Sequence, residues 1–159
     1  MRKLVGVLPL AALIFAATSV QADDPFAQWT ERYKRDTSGA ASSLRVSATS
    51  TFVAGEPALH FSVTNTSSAP LSIATASLPW GNAYSINLLG LSSSGALRPR
   101  YPVDDLGVGH VVLQPGATLE GNYVLNQVLQ GPRQALKASD LIVVWSYGTT
   151  SGVVVLQKR

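Results

Sequence analysis

The chain has 159 residues, no cysteine and a formal net charge of +3, with 46% apolar but only 13% charged residues. The absence of cysteine excludes disulfides, cysteine-based zinc sites, iron–sulfur clusters and thiol catalysis. The few charges form no basic stripe of the kind that binds nucleic acid.

Residues 1–22 read as an export signal. Arg2 and Lys3 give a positive start, residues 4–17 are apolar apart from Gly6 and Pro9, and Val20 and Ala22 suit the small-residue positions of a cleavage site. The apolar run is shorter than the roughly 20 residues of a membrane span, which favours a cleaved leader over an uncleaved anchor. No cysteine follows it to accept a lipid. Cleavage after Ala22 leaves 137 residues with ten basic and nine acidic side chains. That length suits one domain and buries about two-thirds of its unfolded surface, so a core can suffice without disulfides. The expected location is the periplasm or the medium, with no stable membrane anchor after cleavage.

Residues 23–43 form the next unit, a short helix or tail and a linker. Pro25 suits the first turn of a helix capped by Asp23 or Asp24. Phe26, Trp29 and Tyr33 then make one aromatic stripe, beside Glu31, Arg32, Lys34 and Arg35. The stripe is expected to pack on the following domain; a docking peptide for a partner and plain disorder are the alternatives. The stretch TSGAASS has linker composition.

From Leu44 to the end, residues 44–159, the period changes to two. Leu44, Val46 and Ala48 alternate with Arg45, Ser47 and Thr49; after a break at residues 54–57, Leu59, Phe61 and Val63 alternate with His60, Ser62 and Thr64. Strict alternation means one buried face and one wet face. Asn65 to Pro70 compose a turn, and Leu71 and Ile73 resume the pattern. Tyr84, Ile86 and Leu88 alternate with Ser85, Asn87 and Leu89, and SSSG at 92–95 turns the chain. A short apolar run at 111–113 ends in Gln114-Pro115-Gly116, and Leu119, Gly121, Tyr123 and Leu125 make one face. Gly131-Pro132 can start a helical turn through Leu136. Residues 141–145 are continuously apolar, which predicts a central strand covered on both sides, or mostly so. Residues 152–156 make the last strand, paired with it. Seven to nine short strands with frequent turn signals specify an all-β, antiparallel, immunoglobulin-like sandwich rather than a parallel sheet.

Catalytic constellations are hard to find in this pattern. His60 sits on a wet strand face and His110 precedes a strand; neither belongs to HExxH or a His-x-His pair, so no metal site is expected. No nucleophile elbow and no phosphate-cradling glycine loop occur, and no cofactor is expected. Asp104 and Asp105 are adjacent, so on a strand they would point to opposite faces; a solvated loop suits them better. The segment containing them still stands out. Arg98, Arg100, Asp104 and Asp105 place four charges within eight residues, together with Tyr101 and two prolines, whereas Glu56 is the one charged residue between Val46 and Leu97. Arginine and tyrosine are favoured at binding hot spots, so this segment reads either as an inter-strand connection or as a recognition loop. Trp80, in the loop LPWGNAY, reads as a plug over one end of the core or as an exposed anchor.

The order VTNTSSAPLSI, ATASLPWGNAY and LRPRYPVDDLGVGHVVLQPGATLEGNYVL, over residues 46–125, resembles the small β-sandwich pro-domain that precedes the catalytic domain of deuterolysin-like and peptidyl-lysine metalloendopeptidases. No HExxH accompanies it here, so peptidase activity is not carried over. The resemblance implies a stand-alone sandwich that binds or restrains a partner, a protease among the candidates. The residues thus point to an exported, non-catalytic module that recognises a protein partner through its loops. Alternatives are a protease inhibitor or pro-domain-like chaperone, a subunit joined by strand addition at a sheet edge, and a hydrolase using His60, His110 or Asp105.

Overall fold

A computed structural model describes residues 24–36, 43–103 and 108–159. The expected leader, most of the linker, and Asp104 and Asp105 lie outside the described residues. In chain order the elements are α1 (Pro25–Asp36), β1 (Leu44–Val53), β2 (Glu56–Asn65), β3 (Leu71–Ala74), β4 (Asn87–Ser92), β5 (Gly95–Ala96), β6 (His110–Leu113), β7 (Thr118–Val124), α2 (Pro132–Ala138), β8 (Leu141–Tyr147) and β9 (Thr150–Leu156). They form a sheet of order β1-β2-β7, a sheet of order β5-β4-β8-β9, and the pair β3-β6. All ladders are antiparallel. The fold is all-β and sandwich-like.

The alternation read from Leu44 onward becomes one long hairpin, paired from Leu44↔Asn65 to Val53↔Glu56. Ala54 and Gly55 turn it with φ of 49° and 80°, and two positive φ values match the right-handed twist of the flanking strands. Leu59, Phe61 and Val63 of β2 are fully buried. Phe61 meets Trp145 of β8 edge-on at 5.4 Å between ring centroids, which joins the two larger sheets across the core. Gly152 lies opposite Trp145 on β9, and a Cβ there would stand 2.9 Å from the indole. The ring therefore occupies the space its cross-strand neighbour lacks.

Asn65 ends β2 and is fully buried. Its amide Nδ2 donates to the carbonyls of Ala69 at 2.8 Å and Leu113 at 2.9 Å. Its Oδ1 accepts from the Ser67 amide and hydroxyl at 2.9 and 2.7 Å. Its own N–H donates to Ala117 O, and its carbonyl accepts from Gly116. One side chain thus satisfies the polar turn after VTN and the end of β6 before QPG. That is why a buried amide is tolerated here.

Two expected elements are placed differently. The strand read from Tyr84 begins only at Asn87. Residues ahead of it close a loop on themselves: the Ser85 hydroxyl donates to Pro79 O and Asn82 O, both at 2.9 Å, Asn82 Oδ1 accepts from the Tyr84 amide at 2.6 Å, and Asn82 Nδ2 donates to Ala76 O. Such local bonds compete with a ladder. The strand at 141–145 is central to its sheet but not covered on both sides along its length. Leu141, Val143 and Trp145 are buried, whereas Ile142 is 41% exposed and its neighbours Val153 and Val155 on β9 are 63% and 42% exposed. The reason is that α1 packs on this outer face around β4 and the end of β8, where Asn87, Leu89 and Ser146 are buried, and leaves the part toward β9 open.

Candidate interaction face

Asp24 Oδ1 accepts the Phe26 amide at 3.0 Å and starts α1. The helix then seats on the body through part of the expected aromatic stripe: Trp29 faces the sandwich, and its Nε1 is buried. Phe26 is 58% exposed, while Pro25, Gln28, Trp29 and Arg32 line the cleft between α1 and the sandwich, a spacing that defines one helix face. Trp29 and Tyr33 remain stacked at 4.9 Å. Polar bonds hold the helix in this seat. Asn87 Nδ2 donates to Trp29 O at 2.9 Å, and Arg32 Nη2 donates to the carbonyls of Tyr84 at 3.3 Å and Ile86 at 3.4 Å.

The segment 98–103 runs beside this helix. Its backbone is fixed: Arg100 N donates to Val128 O at 2.7 Å and Gln130 N to Arg98 O at 2.8 Å, around the bridge Pro99↔Leu129. Beyond that anchor Tyr101 is 61% exposed, and its hydroxyl donates to Gln28 Oε1 at 2.5 Å. The Tyr84 hydroxyl donates to Pro102 O at 2.7 Å. Helix, loop and Tyr84 are thereby tied into one surface. Arg100 and Tyr101 line the narrow cleft against α1, about 40 Å³. Tyr101 and Tyr84 also line a wide hollow of about 630 Å³ with Arg32, Arg35, Ser85 and Gly148. Among the described residues no acidic side chain lines either hollow.

The sequence-derived site residues are therefore partly gathered. Arg100 and Tyr101 share the face; Arg98 is exposed beside it and is held through its main chain. Trp80 belongs elsewhere. It is half-buried against the core, over Gly121, and lines a separate hollow of about 380 Å³ with Pro102 and Asn122. Arg32, Arg35, Gln28 and Tyr84 join the face although the sequence reading did not select them. Basic residues next to an aromatic helical stripe were the signal that could have found the arginines.

The two histidines stay apart from this face. His60 Nδ1 lies 2.9 Å from Asn122 Oδ1, and Nε2 lies 3.8 Å from Glu120 Oε2, in a polar row across β2 and β7. His110 begins β6 and is exposed. Among the described residues no group of three or more histidine, aspartate or glutamate side chains could hold a metal ion. No protein-family model matches the chain, and no curated protein matches it.

Proposed function

We propose that this chain is a non-catalytic binding module that engages a protein partner through α1 and residues 98–103. It would act in the periplasm or the medium, after removal of residues 1–22. The observation that carries the reading is the bond between Tyr101 and Gln28. It ties an exposed tyrosine to α1, beside Arg32 and Arg100, residue types and rigidity that favour affinity. The arginine-rich lining favours an acidic segment on the partner. The resemblance to metalloendopeptidase pro-domains makes an exported protease the first partner to try.

The test is affinity capture from the same compartment with three proteins: wild type, the double variant Arg100→Glu with Tyr101→Ala, and a control, Thr64→Ala, on the opposite sheet. A partner held by wild type and the control but lost by the double variant supports the reading. Capture that survives the double variant overturns it. Adding the domain in excess to purified exported proteases separates inhibition from simple binding.

A further inference from the structure

Another hollow, of about 210 Å³, opens where the β1–β2 hairpin meets α2 and the chain's last residues. Its floor is apolar, made by Phe52, Pro57 and Leu136, of which Pro57 and Leu136 are buried. Its rim is cationic, made by Arg133, Lys137 and Arg159. Glu56 answers Arg133 at 2.9 Å. Among the described residues no acid pairs with Lys137 or Arg159. The backbone N–H of Arg159 donates to Leu136 O at 3.1 Å, and its guanidinium carbon stands 3.7 Å over the Phe52 ring centroid. That cation is held at the mouth by packing rather than by an anion.

We propose that this pocket binds a small amphipathic anion, with a carboxylate or phosphate head on a short apolar body. The head would meet Lys137 and Arg159, since Arg133 is already engaged by Glu56. The body would lie on Phe52, Pro57 and Leu136, where each buried methylene strengthens binding about four-fold. An inorganic anion gains nothing from the floor, and an uncharged alcohol gains nothing from the rim, so both parts of the ligand are required. No residue of the α1 face takes part, and failure here leaves the proposed function standing.

The experiment is an amide-shift NMR titration of the folded domain with four probes: octanoate, octyl phosphate, octanol and inorganic phosphate. Octanoate or octyl phosphate should move the amides of Phe52, Gly55, Leu136, Lys137 and Arg159 saturably, and whichever binds more tightly identifies the head. Octanol should bind at least about five-fold more weakly, and inorganic phosphate should leave these amides in place. Lys137→Gln and Arg159→Gln, both at exposed positions that leave the fold intact, should each weaken the anionic probe several-fold. The proposal is overturned by octanol binding as well as octanoate, by inorganic phosphate moving the same amides, by both variants binding like wild type, or by no saturation up to ~10 mM.

Discussion

The Trp80 indole lies directly over Gly121 of β7, so close that a methyl group at position 121 would stand 2.2 Å from the ring carbons Cδ2 and Cε2. Glycine is there because the ring takes the volume a side chain would fill. Gly121→Ala must push the indole off the end of the core. It should destabilise the fold by about 2–3 kcal/mol, read as a lower urea midpoint. An unchanged midpoint would show that Trp80 is not seated on β7.

Asn65 bridges two turns that are far apart in sequence. Asn65→Ala leaves two carbonyls and the Ser67 donors without their partner in a buried place, which should cost about 3 kcal/mol. Asn65→Asp should fare no better at neutral pH, because a carboxylate cannot donate to Ala69 and Leu113. Calorimetric melting of both variants checks this; a harmless Asp substitution would mean the amide donors are dispensable.

Under α1, Ser146 Oγ and Trp29 Nε1 are buried with no hydrogen-bond partner. Ser146→Ala removes an unsatisfied hydroxyl and should leave stability unchanged or raise it by up to about 1 kcal/mol. Asn87→Ala, on the facing strand position, removes the anchor to Trp29. It should speed amide exchange across α1 more than in β2, since the helix can open locally. Hydrogen exchange at residues 26–36 should be faster than wild type in Asn87→Ala and no faster than wild type in Ser146→Ala.

The Tyr147 hydroxyl donates to Ser77 O at 2.7 Å, and burial pushes its phenol above the ordinary value of 10.0. The folded state therefore holds this proton more tightly than the unfolded chain. The stability that results is complete below a pH of about 10 and is lost as pH rises through the higher folded-state value. Urea midpoints measured across that range should fall more steeply for wild type than for Tyr147→Phe. Parallel curves would contradict the assignment.

Much of the β architecture was legible because side-chain alternation is a local property. His60, Ser62 and Thr64 face outward where Leu59, Phe61 and Val63 face in, and Gly131-Pro132 does start α2. The start of β4 was not legible, because Tyr84 and Ser85 belong to a loop closed by bonds to Asn82 and Pro79. The docked face of α1 was legible in part: Trp29 packs inward as its stripe implied, whereas the outward turn of Phe26 was not, since bonds such as that from Asn87, 58 positions away, help set the helix's seat. For the site, composition alone singled out Arg100 and Tyr101. Arg32, Arg35 and Tyr84 reach them through tertiary contacts that no local pattern records, and Trp80 parts from them because Gly121 offers it a seat.

The most direct test of the α1–loop face is the amide-exchange footprint of the domain with a captured partner bound. Slowed exchange concentrated at residues 25–36 and 98–103, with the outer face of β1, β2 and β7 unchanged, is the expected result. Protection confined to the β1-β2-β7 sheet, with α1 and Tyr101 exchanging as in the free protein, would contradict it.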